Sequence, residues 1–322
     1  VKFEEIEELL QFNEKESKVF IVNEIFEDLK GVIKNSPHLA YAYSYIYLVT
    51  WLYRYAKHLS SKGYITKGMI NEILGYHAKT KGLDYLIKKN GLIDNLDYTM
   101  TLSDFPLQWK FDKFEGLEFE MLSDIYESEK QQYPLVTKSE ILNRYSVPKK
   151  YNIKFPVKSF YRNSEVDEDG SYFEFENTHL IPFEVFMFCM DNENISTSGF
   201  YLYAYIKRMN DFYKDGWDVS LENMVLETGV AEKTLLRYLD QLKKYNMVQA
   251  IHNQDYFCLA LDPRDRKANT YIANEFDLFT YAPQAYKKMK IMKVEEYQKK
   301  REEELIQLLG DRVDIPIEEL PY

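Results

Sequence analysis

Cysteine is nearly absent: Cys189 and Cys258 are the only two in 322 residues, and both sit in apolar runs. Two distant cysteines make neither a disulfide framework nor a zinc site. Each is expected as a buried free thiol, which fits a reducing cytoplasm. Glycine and proline are also scarce, at 12 and 10, and with many runs at helical spacing this points to helices with short strands. No apolar run approaches the roughly 18 residues of a membrane span, and no signal-peptide pattern is present, so no membrane partner is expected. The chain opens at Val1 rather than Met, so a few residues are expected ahead of it. The histidines His38, His58, His77, His179 and His252 lie far apart, with no metal-ligand spacing. There is no Gly-rich phosphate loop ending in Lys-Ser or Lys-Thr and no Gly-x-Ser-x-Gly elbow. Among the 28 tyrosines a DNA-attacking nucleophile lacks the metal-binding histidine pair such chemistry uses. No catalytic residue, metal or cofactor is therefore expected.

Positive charge is in deficit too. The 41 Lys and Arg against 52 Asp and Glu leave a net charge of −11. That excludes a protein that coats DNA nonspecifically, but binding depends on the local field at a docking face. What the chain does have is apolar material: 45% hydrophobic residues and 16% aromatic ones, enough for real cores. At roughly 100–200 residues per domain the length suggests two domains. The expected organisation is an N-terminal helical domain over 1–125, a linker over 126–180, a compact block over 181–275, and a helix with tail over 276–322. Val1 to Phe12 reads as a short acidic amphipathic helix. Three prolines and the turn Asp167-Glu168-Asp169-Gly170 give the linker its character. Gln284 to Leu309 reads as one long helix ended by Gly310, and the acidic last dozen residues are expected to be loose.

The central block carries the clearest pattern. Tyr201, Leu202, Tyr205, Ile206, Met209, Phe212 and Tyr213 form one helical stripe, and Gly216 stops it. Trp217-Asp218-Val219 fits a short strand, and Ser220 is a good N-cap for a helix from Leu221 to about Glu227. Gly229 supplies the tight turn, Val230 plugs it, and a third helix from Glu232 buries Leu235, Leu239 and Leu242. The period then becomes alternating: Met247–Ile251, the polar turn His252-Asn253-Gln254-Asp255, and a return strand Tyr256–Leu261. Helix, strand, helix, turn, helix, hairpin is the order of a winged helix-turn-helix. In such a unit the third helix enters the major groove, which places Lys233, Thr234 and Arg237 near base edges. Arginine can donate two bonds to guanine, so Arg237 is the leading candidate for sequence readout. A solvated helix face is the plain alternative, since Glu232 and Asp240 interrupt the positive charge. His252, Asn253 and Gln254 are the candidate wing contacts.

The first block reads as a diverged copy. Val22–Phe26 parallels Pro182–Phe186, Ala42–Leu59 parallels Phe200–Lys214, Thr66 takes the N-cap place of Ser220, and Gly75 that of Gly229. A third helix ending over Leu83–Lys89 and a wing over Leu92–Leu102 complete the copy, with Lys79, Thr80 and Lys81 as DNA contacts. A helical dimerisation domain is the alternative. Val147 to Arg162 is basic without an acid, so Lys149, Lys150, Lys154 and Lys158 are candidate phosphate contacts along the linker. Tyr286 to Arg301 is a second basic run.

The stretches His179-Leu180-Ile181-Pro182, Gly199 to Tyr205 and Gly216-Trp217, followed by the helix-turn-helix, resemble the winged-helix domain of plasmid replication initiators from Gram-positive bacteria. The resemblance covers mainly 179–261. Two such units in one chain also look like the tandem initiators, in which both domains bind repeated origin sites; this chain is more acidic than most of them. The fold expected is mainly α with small β-hairpins, an α+β chain of two winged-helix-like domains plus a long C-terminal helix. The function expected is noncatalytic, site-specific binding of double-stranded DNA as a replication initiator or as a transcriptional repressor of a mobile element. The implied partners are DNA and replication or transcription machinery, with homodimerisation left open. An adaptor whose winged helices bind proteins is the reading from another class, favoured by the acidic balance.

Overall fold

The computed structural model describes residues 2–163 and 168–313, with side chains through residue 308. Asp167 and the acidic tail beyond Val313 lie outside the described residues. The N-terminal half runs α1 (Phe3–Leu10), β1 (Lys18–Val22), α2 (Ile25–Val32), α3 (Ser36–Arg54), β2 (Leu59–Ser60), β3 (Gly63–Tyr64) and α4 (Lys67–Ile73). The one-turn helices α5 (Asp84–Ile87) and α6 (Leu92–Asn95) and strand β4 (Thr99–Leu102) follow. Then come β5 (Pro106–Asp112), β6 (Gly116–Met121), α7 (Leu122–Gln132), α8 (Lys138–Arg144), β7 (Ile153–Pro156) and the short α9 (Val157–Phe160). The C-terminal half runs β8 (Thr178–Pro182), α10 (Phe183–Asp191), α11 (Ser196–Phe212), β9 (Trp217–Val219), α12 (Leu221–Thr228) and α13 (Glu232–Lys244). It ends with β10 (Val248–Ile251), β11 (Tyr256–Phe257), β12 (Asn269–Ala273), β13 (Lys290–Ile291) and α14 (Val294–Val313). The result is a mixed helix and strand protein with small, mostly antiparallel sheets.

The two halves share one core. β1 pairs antiparallel with β8, with Phe20 opposite Leu180, and α3 packs against α11. Nearly every residue of α3 from Leu39 to Tyr53 is buried, as expected for a helix that is apolar all round. Its tyrosine rings are buried, and several hydroxyls there, with that of the following Tyr55, find partners. Tyr47 donates to the Ile181 carbonyl at 2.9 Å and Tyr55 to that of Lys18 at 2.8 Å, while the Trp51 indole donates to Glu16 at 2.8 Å. A buried hydroxyl without a partner would cost about 1–3 kcal/mol, so these bonds let a tyrosine-rich core exist. Trp51 stacks on Phe183 at 3.9 Å across the seam. His179 sits in the same seam between Tyr43 and Asn23, at 2.7 and 2.9 Å. Complete burial pushes its pKa down to about 3, so the ring is neutral. Asn23 Oδ1 then accepts from Nδ1–H, and the Tyr43 hydroxyl donates to Nε2.

Several expectations are corrected by this fold. The segment read as a linker is packed structure: Ile141, Leu142, Val147, Tyr151, Phe155 and Phe160 build a second core with Tyr53, Tyr64 and Phe105. Its prolines fall in loops and at the edge of β7, where a missing N–H is tolerated. The return strand expected at Tyr256–Leu261 is instead β12, because β10 pairs with Asn269–Ala273 and β11 pairs in parallel with β13. No wing forms over Leu92–Leu102; Leu92–Asn95 is helical and β4 pairs with β7, some fifty residues on. The third helix of the first block is only the turn Asp84–Ile87, since Gly82 stands where a longer helix would have to begin. The long C-terminal helix begins at Val294 rather than Gln284, because Lys290–Ile291 is held as a strand, and it runs past Gly310. Both cysteines are buried and free, as expected.

Candidate nucleic-acid interface

The helix-turn-helix segment forms where the residues dictate. The Ser220 hydroxyl accepts from Asn223 N at 3.1 Å and starts α12. Gly229 ends it with φ +69°, a left-handed conformation that costs an L-residue roughly 1–2 kcal/mol. Val230 is buried beneath the turn, and Leu235, Leu239 and Leu242 anchor α13 on the core. The opposite face of α13 exposes Lys233, Leu236 and Arg237, while Thr234 is half-buried. The Arg237 guanidinium lies 5.3 Å from the Tyr238 ring centroid, a contact that leaves its five donors available outward. Neither Lys233 nor Arg237 forms an ion pair among the described residues. The C-terminal end of α13 is covered: Tyr286 donates to Asp240 at 2.6 Å, and Asp240 also holds Lys244 at 2.7 Å.

The turn itself is built by both halves. Ala231 has no side chain with which to cap α13, and its N–H instead donates to the Ser36 hydroxyl at 2.9 Å. Lys30 donates to the Glu227 carbonyl at 3.2 Å, satisfying an end of α12 that lacks an intrahelical partner. The N-terminal half answers in kind. Gly75 has φ +80° after α4, Thr66 caps α4 through Met69 N at 3.3 Å, and Tyr76 reaches Thr197 near the start of α11 at 3.3 Å. Tyr41 and Tyr201 each donate into the region of the second helix, to Asn71 at 2.7 Å and to the Thr228 carbonyl at 2.8 Å.

Beside α13 stands a three-stranded sheet in the order β10-β12-β9, with residues 252–268 looping out of it. The expected wing contacts are spent on holding that loop. His252 lies between Asn269 at 3.1 Å and the Lys287 carbonyl at 3.3 Å. Asn253 donates to the Ala268 carbonyl and to Thr270, both at 2.8 Å, and Gln254 accepts from Lys267 N at 2.8 Å. The exposed cations of the loop are Arg264, Arg266 and Lys267, and the strand β13 brings Lys287, Lys288 and Lys290 alongside. Sequence reading missed the first three, although Arg264-Asp265-Arg266-Lys267 is a visible basic cluster just ahead of a β-branched run.

The remaining candidates scatter. Lys79 and Lys81 are exposed and Thr80 half-buried, all in a turn ahead of α5 rather than on a recognition helix. Lys149 and Lys150 are exposed. Lys158 is half-buried, 3.9 Å from Glu24. Lys154 is corrected outright as a phosphate contact. Its ammonium is buried, bonded to Asp94 at 2.6 Å, Thr101 at 3.0 Å and the Lys88 carbonyl at 3.1 Å, which uses all three donors. Among the described residues no helix is long and apolar enough to cross a membrane, and no group of acidic, histidine and cysteine side chains is placed to hold a metal. Comparisons with family models, with curated proteins and with solved structures gave no match.

Proposed function

We propose that the chain is a noncatalytic, site-specific DNA-binding protein with two winged-helix-like halves, acting as a replication initiator of a plasmid or other mobile element. One observation carries the reading: α13, whose exposed N-terminal part holds Lys233 and Arg237 without an ion pair among the described residues, packs against β10 of a sheet whose loop carries Arg264, Arg266 and Lys267. A helix of this length fits a major groove, and Arg266 and Lys267 on the neighbouring loop suit the adjacent phosphates, while Arg264 is held by Asp262. The net charge of −11 then keeps binding confined to that face.

The test is selection of duplexes from a random pool with the full chain, followed by titration of Arg237→Ala. The variant should lose about 1–3 kcal/mol of specific affinity and relax the preference at one base position. A chain that enriches no sequence, or an Arg237→Ala variant with unchanged preference, ends the reading. Recovery of the bound locus from total DNA separates an origin from a promoter. The adaptor reading has its own support in Leu226 and Leu236, 67% and 42% exposed on α12 and α13. It requires that Leu236→Ser abolish partner capture while Arg237→Ala leaves it intact.

A further inference from the structure

The two halves differ at one strand pairing, and the difference opens a cavity. In the C-terminal half β12 pairs with β10 on one side and with β9 on the other, with Trp217 opposite Tyr271. In the N-terminal half β7 pairs with β4 in the same way and packs on α3 as β12 packs on α11. There, however, β3 turns back on β2 and never meets β7. Between them lies a cavity of about 430 Å³, bounded by Tyr64 and Ile65 on one side and Tyr151 and Ile153 on the other. The Tyr64 hydroxyl spans the gap to the Asn152 carbonyl at 2.7 Å. The volume falls within the roughly 300–1,000 Å³ of small-molecule sites.

Its chemistry is two-sided. The floor is apolar, from Tyr45, Val49, Leu52, Ile70 and Ile87. The lining also includes five lysines, Lys67, Lys88, Lys89, Lys150 and Lys154, and no carboxylate. Asp84 pairs with Lys67 and Asp94 with Lys154, but Lys88, Lys89 and Lys150 have no ion pair among the described residues. In a protein of net charge −11 this is a local excess of positive charge facing a pocket. His58 also lines the cavity, is 4% exposed, and its Nδ1 has no hydrogen-bond partner. A buried imidazole nitrogen without a partner is costly, and a bound polar atom would satisfy it.

We propose that this cavity binds a small organic anion, with a flat apolar body against Val49, Leu52 and Ile70 and its carboxylate, sulfonate or phosphate head at Lys88, Lys89 and Lys150. The site does not depend on DNA binding, and it lies in the half whose third helix is a single turn. A ligand there would bridge β3 and β7, supplying the connection that β9 and β12 make for themselves.

The probe is 8-anilinonaphthalene-1-sulfonate, followed by its fluorescence on the full chain without DNA. One-to-one binding is expected, weakened at least tenfold by Lys89→Glu with Lys150→Glu, both exposed rim positions that leave the core untouched. The uncharged N-phenyl-1-naphthylamine should bind at least tenfold more weakly, and inorganic phosphate alone should not displace the sulfonate at equal concentration. Val49→Phe, which fills the floor, should abolish binding in a chain whose circular dichroism is unchanged. Sulfonate binding that ignores the rim substitutions places the probe elsewhere and overturns the proposal. Equal binding of the uncharged analogue overturns the role of the lysines, and efficient displacement by phosphate overturns that of the apolar floor.

Discussion

In the C-terminal half β9 is hydrogen-bonded to β12 and α13 runs from Glu232 to Lys244, whereas in the N-terminal half β3 pairs only with β2 and the third helix is the turn Asp84–Ile87. Between β4 and β7 the N-terminal half inserts β5, β6, α7 and α8, which bring a second core with them. The C-terminal half inserts only residues 252–268, with the two-residue strand β11, between β10 and β12. The shared elements are those that face the seam: β1 and β8, α3 and α11, and the glycine turns after α4 and α12. Much of the divergence lies away from the seam, although α1, which has no counterpart in the C-terminal half, packs against α10. Packing constrains what the halves bury in each other, and leaves their outer faces free to present a cationic helix on one side and a lysine-rimmed cavity on the other.

If the halves are one folding unit, separating them has the largest effect. A fragment of residues 177–313 loses β1 and α3, exposing the apolar faces of α10 and α11. It should show no cooperative thermal transition by circular dichroism, while the whole chain shows one. A well-folded fragment would restore the picture of two independent modules. Next in size is the buried pair of the N-terminal half. The Lys154 and Asp94 side chains are 6% and 9% exposed, so Lys154→Ala leaves a buried carboxylate unpaired. The expected loss is about 3–5 kcal/mol in urea titration. Lys158→Ala, at a partly exposed cation 3.9 Å from its partner, should cost no more than about 1 kcal/mol. Comparable losses would mean that Lys154 is not the internal strut the geometry makes it.

Acid should separate the halves further. Burial pushes the pKa of His58, in the N-terminal half, from 6.5 down to about 3, as it does for His179 in the seam. Within that window the unfolded chain binds a proton that the folded imidazole does not. Stability is therefore kept above pH 6.5 and lost as the pH falls, by about 1.4 kcal/mol per pH unit for each histidine. His58→Phe should remove one such contribution from urea midpoints measured between pH 6.5 and 4.5. An unchanged pH slope would mean that His58 is protonated in the folded protein. The smallest contrast is between the two turn glycines. Gly75→Ala meets open space and pays only backbone strain, about 1–2 kcal/mol. At Gly229 a Cβ would also lie 2.6 Å from Lys30 Cγ, so Gly229→Ala should cost more. The excess should vanish in a Lys30→Ala background; if it persists, the turn is strained for a reason internal to the C-terminal half.

Local signals carried further than long-range ones. Ser220, Gly229 and the period of Leu235, Leu239 and Leu242 place α12, the turn and α13 within a residue or two of where they stand, because caps and helical stripes are decided by neighbours. Strand partners were less legible. Tyr256–Leu261 alternates well enough to look like the mate of β10, but β10 takes Asn269–Ala273, which is flanked by no sharper signal. Of the candidate site, Lys233 and Arg237 could be placed from the helix period alone. Lys154 could not be separated from Lys149 and Lys150, because all three sit in one basic stretch and only packing buries one of them.

The sequence by itself determined the caps and turns, the helical faces of α11, α12 and α13, and the buried free thiols, since each depends on residue chemistry within a turn or two of helix. The tertiary structure alone decided that the two halves share a core, that the supposed linker is a folded insertion, and that the helix-turn-helix turn is capped by Ser36 and Lys30 from the other half. It also decided that β3 and β7 stay apart while β9 and β12 meet. Those outcomes depend on which of several compatible surfaces come together over separations from roughly fifty to two hundred residues, where burial of apolar area is nondirectional and only the assembled shape selects the partner.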